Sequence, residues 1–294
     1  MDSNTKRMQC LVCGSQHLER LSSVFSRYQK KGIMSVGICP QCGHVQLTPL
    51  PMPEDVEYFN NRFLGKKYST VTTGNGNHTL KLSLLKERID GLVKPGMRVL
   101  DIGAGEGWAM NYFQGKACDY FAIEAIDDLR LALSKRGATV IAESIYDDLR
   151  EYVGRFDVII FRHILEHLTE PSRALDQIQD LLKPDGFLYL ALPNGEKPEV
   201  SKGMTTSFFR PVHVSYFHQG NVVRLAHQSG LRTEKIVADR EIYAIIRIGG
   251  VDLEERNFYM NMKSILKVAK YRAIFQDSKN IIKIFLRRVL SITQ

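Results

Sequence analysis

From Arg98 to Gly249 the chain alternates between two patterns of apolar spacing. Short apolar runs, "RVLDIG", "DYFAIEA", "ATVIAES", "RFDVIIFRH" and "FLYLALPN", read as strands. Between them, "EGWAMNYFQ", "DDLRLALSKRG", "PSRALDQIQDLLKPDG" and "QGNVVRLAHQSG" place apolar residues at helical spacing. Two further strands, "LRTEKIVADR" and "EIYAIIRIG", close the series. Strands alternating with helices predict an α/β domain, a doubly wound, mostly parallel sheet with helices on both faces. Seven strands are expected, the last antiparallel. Ligands of such a sheet belong beyond the carboxyl ends of its strands, at the point where strand order reverses.

The preceding segments obey other patterns. "TLKLSLLKERIDGLV" is helical and stops at Lys94-Pro95-Gly96. Before it, "TPLPMPEDVEYF" supplies three prolines and a helix start, and "FLGKKYSTVTTGNGNHT" is polar and rich in Gly and Asn, as a mobile segment over a site would be. After the α/β region, "KNIIKIFLRRVL" repeats apolar residues at 281, 282, 285, 286, 289 and 290, with Lys279, Lys283 and Arg287 on the other side. The resulting organisation is an N-terminal module over 1–53, a linker and helical cap over 54–97, an α/β domain over 98–250 and a basic amphipathic tail over 251–294.

The 294 residues suffice for one full-sized core plus a small accessory module. No apolar run is long enough to cross a bilayer, and "MDSNTKRMQC" has no signal-like apolar core, so a cytoplasmic location is expected. The net charge of +8 invites a nucleic-acid reading. Its distribution argues otherwise. From Lys263 onward eight basic residues stand against one acid, Asp277, so the body is nearly neutral. Nucleic acid is therefore a disfavoured partner. The tail suits docking on protein, self-association, or peripheral contact with an anionic membrane face.

Four of the five cysteines form two knuckles, "CLVCG" (Cys10, Cys13) and "CPQCG" (Cys39, Cys42), 25 residues apart. In each, a Gly after the second Cys permits the left-handed backbone that turns amide groups toward the sulfurs. Two such pairs predict a closed tetrahedral site of four cysteines, the donor set that structural zinc prefers, in a zinc ribbon whose hairpin turns at Lys31-Gly32. With four protein ligands no position is left for catalytic water. Cys118 stands alone and reads as a small buried hydrophobe.

The first strand of the α/β domain exits into Asp101-Ile-Gly103-Ala104-Gly105-Glu106-Gly107. The dinucleotide pattern would need a Gly at 108, where Trp stands, so the spacing is D-x-G-x-G-x-G. This motif resembles the first motif of class I S-adenosylmethionine-dependent methyltransferases. The resemblance extends in order through "FDVIIFRHILEHL", "LLKPDGFLYLALPN" and "HVSYFHQGNVVRLAHQSGL". It implies a Rossmann-like methyltransferase domain that binds S-adenosylmethionine. Gly103, Ala104, Gly105 and Gly107 would let the backbone approach the methionine tail, and Asp101 would face its ammonium. Glu124, ending the second strand, would accept the ribose hydroxyls. Glu143 and Ser144, ending the third, would lie near the adenine.

"FRHILEHLTEP" also matches H-x-x-E-H, an inverted zinc-protease pattern. Pro171 follows closely and disfavours the helix such a His pair needs, and no third ligand is evident downstream. A catalytic metal is therefore not expected here. Glu166 is assigned to helix-start capping, His167 to structure, and His163 to the edge of the ligand pocket.

Methyl transfer to a hydroxyl needs an aligned acceptor and a proton acceptor. The segment "GEKPEVSKGMTTSFFRPVHVSYF" is too long for an ordinary connection and is expected to form the acceptor side. His213 is the first candidate base, His163 the second, and Tyr216 is placed to orient the acceptor. A zinc ribbon ahead of such a domain resembles the deoxysugar methyltransferases of nucleotide-sugar metabolism, which implies a sugar, nucleotide-sugar or glycan acceptor. Departures from that family at Val212 and Arg210 weaken C-methylation and broaden the expectation to a sugar hydroxyl. The competing readings are an rRNA methyltransferase with a zinc module, and a non-catalytic cofactor-binding scaffold.

Overall fold

The computed structural model describes residues 8–25, 33–59, 77–200, 208–209, 212–250 and 258–274. Seven strands of the α/β region form one sheet: β4 (Arg98–Ile102), β5 (Asp119–Ile123), β6 (Thr139–Ala142), β7 (Phe156–Arg162), β8 (Leu182–Pro193), β10 (Leu231–Ala238) and β11 (Glu241–Ile248). Their order is β10-β11-β8-β7-β4-β5-β6. The last strand, β11, runs antiparallel to both β8 and β10, while β8, β7, β4, β5 and β6 are mutually parallel. The expected α/β architecture, including its antiparallel final strand, is what the chain adopts.

The central strands are continuous apolar runs because both faces are covered. Val158, Ile160, Tyr189 and Ala191 face one apolar layer, which includes Leu85 and Ile89 of helix α2 (Asn77–Ile89) and Phe113 of α3 (Met110–Gly115). Ile159, Phe161, Leu188 and Leu190 face the other layer, with Leu175 and Ile178 of α5 (Pro171–Leu181) and Val222 and Leu225 of α6 (Gln219–Gln228). Helix α4 (Asp127–Lys135) adds Leu129 and Leu133 to the buried set. In α5 the buried residues Pro171, Ala174, Leu175, Ile178 and Leu181 trace one helical stripe, and Pro171 sits in the first turn where its missing N–H costs nothing. Burying each of the large ones contributes about 1.5–3 kcal/mol.

Two element boundaries differ from the sequence reading. The segment read as helix through Gly186 leaves the helix after Leu181, and β8 starts at Leu182. Pro184 disfavours a helical Lys183, and Lys183 instead pairs with Asp157 at 2.8 Å. The helix after β4 begins at Met110 rather than Glu106, because residues 105–109 are spent on turns.

The N-terminal module is a meander, β1 (Glu19–Phe25), β2 (Ile33–Ile38) and β3 (Val45–Thr48), with antiparallel pairing throughout. The predicted hairpin is present; its turn at Lys31-Gly32 lies outside the described residues. A fourth strand, β9 (Ser215–Tyr216), comes from the α/β region and pairs with Val45 and Gln46. Leu47 N–H also donates to Val214 O at 2.8 Å. The ribbon sheet thus takes its edge strand from the long segment after β8.

Helix α1 (Pro53–Phe59) follows the ribbon, and the last helix among the described residues, α7, spans 259–274. In α7, Met262 and Leu266 pack into the apolar cluster of the ribbon with Val36, Ile38 and Leu47, and Lys263 pairs with Glu19 at 2.8 Å. The amphipathic repeat expected at 281–290 lies outside the described residues, as does most of the polar segment over 63–79. Among the described residues no helix is long and apolar enough to cross a membrane.

Candidate active site at the switch point of the sheet

Strand order reverses between β4 and β7, so the turns leaving these two strands flank one crevice. The turn after β4 holds Gly103, Gly105 and Gly107 at φ of +71°, +58° and +68°. Three left-handed residues in alternation are the physical content of the D-x-G-x-G-x-G spacing. A Cβ on Gly103 would lie 2.2 Å from Ile164 Cδ1, and one on Gly107 would lie 2.7 Å from Leu133 Cδ2. Arg136 ties the far side of this loop, donating to Glu106 O at 2.6 Å and to Asn111 Oδ1 at 3.1 Å.

Two carboxyl groups stand behind the loop. Glu124 accepts from Gly105 N–H at 2.7 Å and from Ile126 N–H at 3.0 Å. Burial raises its pKa, and these backbone donors oppose the rise. Asp101 is buried and accepts from the Tyr120 hydroxyl at 2.6 Å. Burial pushes its carboxyl up to about 7, against the pull of that hydrogen bond. Glu143 and Ser144 follow β6. The Glu143 carboxylate is exposed and paired with Arg130 at 2.8 Å, while Asp147 accepts from the backbone N–H groups of both Glu143 and Ser144.

The turn after β7 is not a helix that could carry His163 and His167 on one face. His163 has φ +56°, and only Leu165–His167 form a single 3-10 turn. Glu166 does not cap α5: its side chain is 1% exposed, and neither carboxylate oxygen has a hydrogen-bond partner among the described residues. The helix-capping role expected for Glu166 is corrected on this point. His163 turns the other way. Its Nε2–H donates to Glu241 Oε2 at 3.1 Å, while its Nδ1 lies 3.4 Å from Glu166 Oε1. Desolvation lowers the pKa of this imidazole, but the two carboxylates more than reverse it.

Glu241, at the start of β11, gathers three cations. Arg162 donates to Oε2 at 2.7 Å, Arg88 from α2 pairs with Oε1, and His163 completes the set. Burial pushes the Glu241 carboxyl up, yet His163, Arg162 and Arg88 together bring it down to about 2. Arg88 also donates to the Tyr189 hydroxyl at 2.8 Å, and Arg162 lies 5.8 Å from the ring centre of Trp108, just past the glycine loop. The sequence patterns of α2, β7 and β11 did not mark Arg88, Arg162 or Glu241. Their only signal was a charge at a strand end or on a helix facing the sheet.

His213 and Tyr216 come from the long segment after β8. A cavity of about 440 Å³ opens beside the crevice, and its wall includes Arg162, His163, Asn194, His213, Tyr216 and Glu241. The structure therefore brings together the three residues read as catalytic. His213 is buried, with its ring centre 5.0 Å from that of His167, and Tyr216 donates to His213 O at 3.4 Å. Arg210 lies outside the described residues.

On the ribbon, the Sγ atoms of Cys10, Cys13, Cys39 and Cys42 all lie within 4.8 Å of one another. The two knuckles are built alike. Gly14 and Gly43 have φ of +73° and +76°, and their N–H groups donate to Cys10 O and Cys39 O at 2.9 and 2.8 Å. Four converging thiols without a disulfide are the donor set of a tetrahedral metal site.

Residues 77–236 match the family model described as a methyltransferase domain. The ubiquinone biosynthesis O-methyltransferase of Proteus mirabilis (strain HI4320) is 29% identical over 124 residues, 40% of this chain and 50% of that protein. The protein of the same name from Xylella fastidiosa (strain M23) is 27% identical over 166 residues, 54% of this chain and 63% of that protein. The chain therefore spans between half and two thirds of the length of these relatives. Among solved structures, the 1,6-didemethyltoxoflavin-N1-methyltransferase of Burkholderia thailandensis superposes with a TM-score of 0.52 at 15% identity, covering 79% of this chain and 99% of that one, a likeness of fold. With a family match over more than half its length, on a glycine loop at the switch point of the expected sheet, the chain belongs to the methyltransferase-domain family and carries an S-adenosylmethionine-dependent methyltransferase domain.

Proposed function

We propose that this protein transfers the methyl group of S-adenosylmethionine to a hydroxyl of a small, polar acceptor, a sugar, nucleotide sugar or glycan. The observation that carries the reading is the cavity at the exit of β7, where Arg162, His163, Asn194, His213 and Glu241 stand among apolar surface. Those groups offer hydrogen-bond partners to a hydroxylated acceptor, and the apolar surface between them suits the face of a ring. The relatives' names support oxygen as the accepting atom and speak for a different acceptor, a ubiquinone precursor.

In this reading Gly103, Ala104, Gly105 and Gly107 receive the methionine end of the cofactor. Asp101 supplies negative charge behind its ammonium, and Glu124 exchanges the Gly105 N–H for the ribose hydroxyls. Ser144 borders the adenine. Glu143 is a weaker partner there, because Arg130 already holds its carboxylate. The acceptor oxygen attacks the methyl carbon in line with the breaking bond to sulfur, S-adenosylhomocysteine leaves, and the acceptor's proton departs at the His213 corner of the cavity. His163, bridging two carboxylates, is held as a cation and positions charge rather than taking the proton. Tyr216 orients the acceptor. The four cysteines hold a structural Zn²⁺, since all of its positions are filled by thiolates.

The test is a panel of nucleotide sugars, glycans and polyprenyl phenols incubated with the protein and methyl-labelled cofactor, with the product located by NMR. A methyl ether on a sugar oxygen is expected. Labelling of the phenols alone would sink the sugar acceptor.

A further inference from the structure

The turn after β7 and the segment after β8 meet in a way that no element of the proposed methyl transfer requires. His167 Nδ1–H donates to Val212 O at 2.7 Å, and Val214 N–H donates to Glu166 O at 2.8 Å. These bonds hold His213 against Glu166 and His167. One ligand atom from each of the three lies within 4.8 Å of the others.

The first of these bonds puts a proton on His167 Nδ1, since a backbone carbonyl only accepts, and leaves Nε2 as the ring atom that faces Glu166, 3.9 Å from Oε1. The gap is too long for a hydrogen bond. It suits an ion, since two ligand bonds of about 2.1 Å at a tetrahedral or wider angle separate their donors by roughly 3.4–4.2 Å. Glu166 is the independent witness. Its side chain is 1% exposed, neither oxygen has a hydrogen-bond partner among the described residues, and the nearest cation, His163, stands 3.4 Å from Oε1 while also bonding Glu241.

We infer, against the expectation from the sequence, that Glu166, His167 and His213 form a binding site for a first-row divalent cation, bordering the acceptor cavity through His213. Two imidazoles and one carboxylate are the donors such ions prefer when positions are kept open for a second ligand. His167 carries the orienting hydrogen bond to a backbone carbonyl that metal-bound imidazoles usually make. The site is distinct from the four cysteines, whose donors are all sulfur. It deepens the proposed methyl transfer, and rests on it only for the identity of the further ligand, an oxygen of the acceptor. Coordination lowers the pKa of a hydroxyl. With the cation held, His213 is a ligand and the acceptor's proton passes to water in the cavity.

The test uses the full chain with its cysteine site loaded with zinc, equilibrated with Co²⁺ in the absence of any acceptor. Metal per chain is counted by mass spectrometry, and the visible spectrum identifies the donors. Wild type is expected to take up one cobalt beyond the cysteine-bound ion, with ligand-field bands and no added sulfur-to-cobalt charge transfer. Glu166→Gln and His167→Gln should weaken that uptake by at least about tenfold, while binding of S-adenosylhomocysteine, followed by calorimetry, reports that the fold is intact. No additional cobalt in wild type overturns the inference, as does undiminished uptake in both variants. Either outcome leaves the methyl-transfer reading standing, because that reading is judged by methylated product.

Discussion

Gly103 and Glu241 show two ways in which a single side chain is set by its surroundings. At Gly103, φ is +71° and a Cβ would meet Ile164 at 2.2 Å, so Gly103→Ala must strain the turn and displace the β7 exit. Affinity for S-adenosylhomocysteine should fall at least about tenfold by calorimetry, the equivalent of about 1.4 kcal/mol. At Glu241 the carboxyl titrates at about 2 in the folded chain, below its ordinary 4.5. The depressed value means that its stabilisation is present above pH 4.5 and lost as pH falls toward 2. Glu241→Gln should cost about 2 kcal/mol at neutral pH, less than the full shift implies because solvent screens part of it. Denaturant midpoints of the two proteins should converge as pH is lowered through that window, and a difference that stays constant would refute the assignment. The glycine was legible in the sequence because its backbone requirement is local. Glu241 was not, because its three cationic partners arrive from α2, β7 and the turn after β7, whose positions along the chain imply nothing about proximity.

At the scale of elements, β9 is the hinge between module and domain. It belongs by sequence to the acceptor side, yet it completes the ribbon sheet. His44, at the end of the second knuckle, is fully buried and held neutral, its pKa pushed down to about 4 by burial. Its Nδ1–H donates to Asn221 Oδ1 at 3.1 Å, which leaves Nε2 to accept from the Ser215 hydroxyl at 3.2 Å. His218 binds Cys42 O at 3.0 Å from the start of α6. The ribbon therefore fixes residues 215 and 218, on the same short segment as His213 and Tyr216. Ser215→Ala strips one buried hydrogen bond and should cost about 1–3 kcal/mol, because His44 Nε2 is left without its donor. If the ribbon positions the acceptor wall, kcat should fall while cofactor affinity is unchanged; equal loss in both would mean general loosening. Sequence periodicity could not reveal this strand. Two residues are too few for an alternation, and their partners lie about 170 residues upstream.

At the scale of the whole molecule, the ribbon, the α/β sheet and α7 share their apolar surfaces. The knuckle residues Cys10, Val12, Cys39 and Cys42 sit in one cluster with Leu190 of the sheet and with Phe217 just after β9, and α7 covers the ribbon through Met262 and Leu266. A metal in the cysteine site then stabilises more than the ribbon. Stripping it with a chelator should lower the melting temperature of the entire chain in one transition and abolish turnover. Two separated transitions in calorimetry, with the α/β domain melting unchanged, would contradict that coupling. What the sequence determined by itself was whatever depends on neighbours along the chain. The strand-helix alternation, the glycine turn and the two knuckles are all of this kind, since local backbone geometry and the repeat of apolar positions are written in consecutive residues. What only tertiary structure decided was the pairing of charges and the company of histidines. The sheet's crossover brings Arg88, Arg162 and His163 to Glu241, and the ribbon's added strand holds His213 against Glu166 and His167. Such contacts depend on where long connections close, and the order of residues along a chain does not record that.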